Sequence, residues 1–254
     1  KVFYIRRFLR IFPIYYLGLG VVYILGFPEI QDYFIWYLLY LSNILFGIKN
    51  QFLDVGAHTW SLAVEEQFYL IWPVIIFLLP KKWLLRSIIL ICVTPLLLRI
   101  LYYICFDQVN EVAIWTFPFF VMDARGLGAL MAYLKRYKPI NWPPVPVIFY
   151  NLSFLAVILF GIFYYFHTSI MWSTAAWNAS HDTFYALAVV GVVYAASNRS
   201  FRGPIGWFLE TKPVVYLGKI SYGLYLYHGF THFIYIKFLD FFELPNIATT
   251  RTET

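Results

Sequence analysis

A chain of 254 residues that is 61% hydrophobic, 22% aromatic and 13% charged is suited to lipid rather than water, because soluble domains carry about 25% charged residues. The net charge of +6 would fit a nucleic-acid binder, but the charges stand in short clusters between apolar runs, which excludes nucleic acid and points to a multi-pass membrane protein. The composition therefore predicts an all-α polytopic helix bundle, since a segment crossing lipid must satisfy its own backbone hydrogen bonds.

In chain order, Lys1, Arg6, Arg7 and Arg10 precede an apolar run reaching Phe27, with Pro13 placed to start a helix. A link holding Pro28, Glu29 and Asp32 leads to a run of only about sixteen residues, Tyr33–Ile48, short of the roughly 20 needed to cross a hydrocarbon core. Next comes His58-Thr-Trp-Ser-Leu-Ala-Val-Glu65-Glu66-Gln-Phe-Tyr69-Leu-Ile-Trp72-Pro73, which runs into Val74–Leu79 as one span. Two adjacent glutamates there are either hydrated at the interface or part of a polar site, since acids inside a span face a bundle interior or a wet cavity. Further spans are expected over 83–106, 112–134, 145–167, 183–198 and 214–239, with a polar aromatic loop at 168–182 and a polar tail at 244–254. Cys92 and Cys105 share one of these helices about 20 Å apart, too far for a mutual disulfide.

Short basic loops mark the cytoplasmic side. Placing Lys1–Arg10, Lys81–Arg86, Lys135–Lys138 and Arg199–Lys219 all inside works only if Tyr33–Ile48 does not cross fully. That segment is therefore expected to be re-entrant or interfacial, which leaves seven full spans: 11–27, 58–80 and the five above. The same map sets Glu65 and Glu66 towards the outer side, away from the cytoplasmic arginines. With Lys1 in place of Met, no readable signal peptide and an odd number of spans, the chain is expected to be part of a longer protein.

Several residues invite chemistry. Arg7 and Arg10, at i and i+3, share a helix face and either bind phosphates through their forked donors or anchor the helix to lipid headgroups. Arg99, Asp123 and Arg125 lie within spans, Asp123 and Arg125 too close in sequence to face each other, and Glu65 or Glu66 is the expected partner of Arg99. Small residues at 126, 128 and 129 allow close approach of another helix. His228 and His232 share a face without a zinc motif, so packing is the expected role, and no metal site is expected. His181 is expected in a loop.

Four pieces, in this order, resemble the acyltransferase-3 family of membrane acyltransferases. They are Arg6-Arg7-Phe-Leu-Arg10-Ile-Phe-Pro13, the His58–Pro73 motif, Asp123-Ala-Arg125-Gly126-Leu-Gly128-Ala-Leu, and Gly218-Lys-Ile-Ser221-Tyr222-Gly-Leu-Tyr225-Leu-Tyr227-His228. The resemblance implies a ten-helix fold in the bacterial cytoplasmic membrane. Residues 1–243 would be a partial domain, with two helices missing before Lys1 and one after Thr254. It also implies transfer of an acyl group, commonly acetyl, from cytoplasmic acyl-CoA as donor substrate to a hydroxyl of a surface glycan, with no bound cofactor. The family's catalytic histidine lies upstream of the arginine pair, and none of His58, His167, His181, His228 or His232 matches it. What transfers is Arg7 and Arg10 to the CoA phosphates, Glu65 and Glu66 as supporting acids, Trp60 and Tyr69 to substrate binding, and Arg125 beside the donor thioester. The alternatives are a transporter or flippase of a polar or lipid-linked substrate, although no inverted repeat is visible, and a non-catalytic scaffold.

Overall fold

The computed structural model describes residues 2–137, 144–170, 174–198 and 201–242, with side chains at 167–170 and 174 excepted. The polar tail, Lys1, Lys138, Trp142, Arg199 and Arg251, and the His167 side chain lie outside the described residues. All regular structure among those residues is helical, and the protein is an all-α membrane helix bundle. Among the described residues four helices are long and apolar enough to cross a bilayer: α1 (Val2–Ile24), α5 (Thr59–Leu78), α6 (Lys81–Cys105) and α10 (Val145–Ile170) over its part Val145–Phe166. The remaining helices are α2 (Pro28–Asp32), α3 (Phe34–Leu38), α4 (Ser42–Lys49), α7 (Glu111–Thr116), α8 (Pro118–Val121), α9 (Asp123–Tyr137), α11 (Thr174–Ser197), α12 (Gly203–Leu209) and α13 (Lys212–Phe241). The chain forms two compact units, one of residues 1–67 and 211–254, the other of residues 68–210, the division falling within α5.

In the first unit α1 buries Ile11, Tyr15, Leu19 and Val22, a stripe at helical spacing. Gly18 lies in this stripe where α1 meets α13. A Cβ on it would sit 3.4 to 3.6 Å from Tyr227, Leu226 and Phe230, in ordinary contact, so the helices pack closely here with room for an alanine. Pro13 does not start the helix, as its position in the apolar run suggested. α1 begins at Val2 and passes through Pro13, as helices in lipid can when neighbours cover the freed carbonyl.

Tyr33–Ile48 forms no continuous helix. It breaks into α3 and α4, and a 3-10 turn at Asp54–Gly56 follows. α3 closes with paired bonds from Leu41 N–H to the Trp36 carbonyl (2.7 Å) and from Tyr40 N–H to the Tyr37 carbonyl (3.1 Å). This reverse turn requires a left-handed residue at position 40. Non-helical backbone in a membrane protein must be satisfied from inside the protein, and here it is. The Gln67 amide donates to the Tyr40 carbonyl (2.9 Å) and to Asn43 Oδ1 (3.0 Å), and Glu29 accepts the Val55 N–H (3.0 Å). Thr59 donates to the Gly56 carbonyl (2.7 Å) beside the buried Ser42 hydroxyl.

The second unit is organised by α10 and α11, packed with α9 through Leu127, Leu134, Val145, Phe149, Val190 and Tyr194. The span expected over 112–134 is three helices instead. Phe117 precedes Pro118 and is extended (ψ 134°), because the proline ring disfavours helical backbone before it. α11 also starts earlier than expected, so residues 174–182 are helical rather than loop. Gly126 on α9 does admit a neighbour: a Cβ there would meet Cys92 of α6 at 2.9 Å, whereas Gly128 faces open space.

Candidate functional site

Among the described residues each unit holds an ionic centre, buried in the second and half-buried in the first. In the second unit Arg99 is fully buried on α6. Its guanidinium donates to the Phe120 carbonyl (2.7 Å), to Asp123 Oδ2 (2.7 Å) and to Thr183 Oγ1 (2.5 Å). Thr183 donates in turn to the same Asp123 oxygen (2.6 Å), and the other Asp123 oxygen accepts the Ala124 N–H (3.0 Å). Asp182 stands 4.0 Å from the guanidinium. The carboxylate partner of Arg99 is thus Asp123 and not Glu65 or Glu66, because the break at Pro118 leaves the Phe120 carbonyl and the start of α9 facing α6. Nearby, Glu111 accepts from Tyr103 (2.5 Å) and Asn178 (3.3 Å). Both acids are consumed in joining α6, α7, α8, α9 and α11.

Arg125 belongs to this unit and donates to the Val121 carbonyl one turn back (2.9 Å). His181 lies in a helix, not a loop, with Nδ1 3.0 Å from the Trp177 carbonyl and Nε2 3.2 Å from Asp182. Tyr69 rests against Phe68 on α5.

The centre of the first unit is Arg7 on α1 with Glu66 on α5, Nε to Oε1 3.9 Å, side chains 25% and 13% exposed. The expectation that the glutamates stand away from the arginine pair is overturned. α1 begins at Val2, so Arg7 sits more than a turn inside a 23-residue helix rather than ahead of the span. The arginine pair itself is split, since Arg10 is exposed and makes no ion pair among the described residues. Trp60 is half-buried in the first turn of α5. Glu65 acts electrostatically on Glu66, and with it on Tyr222.

Tyrosines surround this pair. Tyr15 and Tyr16 on α1 donate to the Tyr37 and Leu38 carbonyls (2.8 and 3.0 Å), which locks them in place. Tyr40 stacks on Tyr15 with ring centres 4.1 Å apart, and Tyr222 reaches in from α13. Tyr222 is near enough to Glu66, Glu65, Arg7 and Tyr40 to feel each electrostatically. The Tyr40 and Tyr222 hydroxyls are buried and close enough to interact with each other, and neither has another hydrogen-bond partner among the described residues. The Arg99 centre has only one comparable atom, Nε, on a side chain otherwise fully bonded.

A second cluster of the first unit joins α5 and α13. The His58 ring lies flat against Gly229, where any Cβ would collide, and 4.8 Å from the Phe230 ring centre. The Ser61 and Tyr225 hydroxyls are 2.5 Å apart, Tyr225 donates to the His58 carbonyl (3.3 Å), and His228 Nδ1 bonds the Tyr225 carbonyl. The expected packing role of His228, tied to backbone, agrees with this. No group of three or more His, Cys, Asp or Glu side chains able to hold a metal occurs among the described residues.

Sequence reasoning brought Arg7 and Glu66 into consideration but missed Tyr40, Tyr222 and Gln67 as parts of one centre. Tyr222 and Gln67 carried a signal, since both lie in the quoted motifs. Tyr40 carried none, being an aromatic residue in an apolar run.

Comparison with known proteins gives a consistent answer. The acyltransferase-3 family model, described as an acyltransferase domain, matches residues 1–252. The peptidoglycan O-acetyltransferase OatA of Listeria monocytogenes is 27% identical over 258 residues, 90% of this chain and 39% of that protein. The O-acetyltransferase OatA of Staphylococcus aureus is 27% identical over 195 residues, 70% of this chain and 30% of that protein. An uncharacterized protein of Haemophilus influenzae is 32% identical over 125 residues, covering 43% of this chain and 50% of its own length. The chain thus spans well under half the length of the two acetyltransferases. No solved structure matches it.

Proposed function

Since the chain belongs to the acyltransferase-3 family, we propose that it forms the membrane part of an O-acyltransferase that moves acetyl from cytoplasmic acetyl-CoA to a hydroxyl of a surface glycan. On this reading the protein is multi-pass in a bacterial cytoplasmic membrane. The glycan acceptor is suggested by the L. monocytogenes relative, whose name specifies peptidoglycan. The observation that carries the proposal is the half-buried Arg7–Glu66 pair, standing among the buried phenols of Tyr15, Tyr40 and Tyr222. An ionic pair taken out of water normally has its remaining donors and acceptors filled by protein. A loosely paired, half-buried carboxylate lined by phenols suits a site that receives a polar molecule.

The chemistry requires a group that handles the proton of the attacking hydroxyl, and Glu66 is positioned to orient or charge such a group. Arg7 stands beside the carboxylate, and a guanidinium there suits a phosphate or a developing negative charge. Arg10, exposed near the start of α1, is available to the diphosphate of CoA. The test is acetyl transfer from radiolabelled acetyl-CoA by the protein, expressed from its complete reading frame and reconstituted in liposomes, to a glycan acceptor. Arg7→Ala and Glu66→Gln are each expected to lower transfer about 100-fold, equivalent to about 2.7 kcal/mol of barrier. Wild-type rates in both variants would remove the pair from the site. Movement of a glycan or its lipid carrier across the bilayer without acyl transfer would favour the transporter reading.

A further inference from the structure

Lys219 lies on the face of α13 that packs against α1. It stands seven residues before Leu226 and eleven before Phe230, the two buried residues that Gly18 of α1 faces. At 100° per residue the three positions fall within about 20° to 40° of one another. The height of Lys219 follows from two neighbouring helices separately. On α1, Gly18 is level with residues 226–230, and Phe27 further along meets Phe233, so the two helices run in the same direction. Counting back eight and eleven residues on both puts Arg10 level with residues 218–222 and Arg7 level with residues 215–219. On α5, His58 lies at Gly229 and Ser61 at Tyr225, so that helix runs the opposite way. Glu66, five residues beyond Ser61, is then level with residue 220. Both registers set Lys219 at the height of the Arg7–Glu66 pair. Lys219 and Arg10 are exposed, and neither makes an ion pair among the described residues.

Three cations thus gather along the seam between α1 and α13, and Glu66 faces one of them, with Glu65 beside it on α5. Like charges brought together repel, and an anion placed between them relieves the repulsion. Cations that only anchor a helix to lipid need no particular face, since long basic side chains snorkel to the surface from any of them. Lys219 instead continues the packed stripe of α13. We propose that Lys219 joins Arg10 and Arg7 in a seat for the phosphates of the donor, and that this seat selects phosphorylated thioesters over thioesters without phosphate. The proposal rests on the acyl-CoA reading above and adds a second helix to the arginine pair. Two forked guanidinium groups and a compact ammonium suit a diphosphate, the forks by pairing two oxygens each and the ammonium as a point charge. The phosphates take no part in the bond made or broken, so the seat acts on binding and not on the chemical step.

The experiment compares wild type, Lys219→Gln and Lys219→Arg in the liposome assay, with acetyl-CoA and with S-acetylpantetheine, which carries the same thioester but no phosphate. In Lys219→Gln the KM for acetyl-CoA is expected to rise about 10-fold, with kcat within about twofold and S-acetylpantetheine kinetics unchanged. Lys219→Arg is expected to keep the KM near wild type. The control is Lys237→Gln, a cation on the same stripe of α13 eighteen residues further on, over the Phe27 ring, and it is expected to leave the KM unchanged. Equal KM for both thioesters in wild type, a fall in kcat with both, an equal rise in Lys237→Gln, or a loss that arginine does not restore would each overturn the seat. Phosphatidylcholine vesicles with and without phosphatidylglycerol separate the donor from a lipid headgroup. An effect of Lys219→Gln seen only with phosphatidylglycerol assigns the lysine to lipid and also overturns the seat. A wild-type protein that transfers no acetyl group sinks the acyltransferase reading and the seat with it. An active wild type with an unimpaired Lys219→Gln variant sinks only the seat.

Discussion

Arg99 and Arg7 both carry a guanidinium into an apolar helix bundle, and the two surroundings are built in opposite ways. Around Arg99 the acceptors come from α8, α9 and α11, and they close on one another: guanidinium to carboxylate, guanidinium to hydroxyl, hydroxyl to the same carboxylate. Around Arg7 the Glu66 carboxylate stands at 3.9 Å, and the phenols of Tyr40 and Tyr222 interact with each other without closing on the pair. A closed network is structural, since every partner it needs is already in the chain. An open one has room for a partner that is not. The family motifs that looked alike as intramembrane charges therefore divide, with Asp123 in a closed network that holds helices together and Glu66 in the open centre proposed above as the site.

The sharpest way to break this contrast is to remove a charge from each centre and follow stability. Arg99→Ala leaves Asp123 buried without its counter-ion and the Phe120 carbonyl without its donor. Breaking a buried pair from one side costs about 3–5 kcal/mol. Thermal unfolding in detergent is expected to show a large fall in midpoint, or no folded protein at all. Glu66→Gln, at a looser and partly accessible pair, is expected to move the midpoint little while abolishing most transfer. If the midpoints fall equally, the two centres are not different in kind.

How far the sequence foretold this division can be judged residue by residue. The helices at α1, α5, α6, α10 and α13 were legible, because runs of apolar residues near span length have one solution in lipid. That Tyr33–Ile48 is not a full span was legible too, from its shortness and from the basic clusters that had to share one side, but its division into α3 and α4 was not. The break at Pro118 was written in the chain but overridden by the apolar pattern on either side of it. The partners of Arg99 and Glu66 were not legible, because a pairing between helices depends on rotation and depth, neither of which sequence spacing reports. Glu66 was assigned to the far side from Arg7 because the helix was taken to start at residue 11. A nine-residue shift in that start carries the arginine about 13 Å along the helix. Tyr40 was beyond reach, since backbone strain has no signature in an apolar run.

A smaller effect distinguishes the two centres by how their walls are held. Gln67→Leu removes the amide that serves both the Tyr40 carbonyl and Asn43. Leaving those groups unpaired costs about 1–3 kcal/mol. The cost should appear locally, as faster hydrogen exchange over residues 40–49, with lowered acyl transfer. Exchange rising instead throughout both units would mean that the broken segment is an ordinary part of the core rather than a support for Tyr40.

The smallest expected effects come from two glycines of α9, two residues apart. A Cβ on Gly126 would stand 2.9 Å from the Cys92 sulfur and 3.0 Å from its backbone nitrogen, so α9 must move off α6 to admit it. Asp123 is one turn earlier on α9 and Arg99 two turns later on α6 than these contacts, so the movement stretches the bond that closes the buried network. Overpacking of this kind costs about 1–3 kcal/mol, and Gly126→Ala is expected to lower the unfolding midpoint accordingly. Gly128 has nothing within 4 Å of its would-be Cβ, and in a helix interior alanine is favoured over glycine by about 1 kcal/mol. Gly128→Ala is therefore expected to raise the midpoint slightly. Opposite signs at 126 and 128 would show that the closed centre depends on the α6–α9 distance. A shared sign would show that α9 tolerates displacement, and that the tightness around Arg99 comes from the side chains alone.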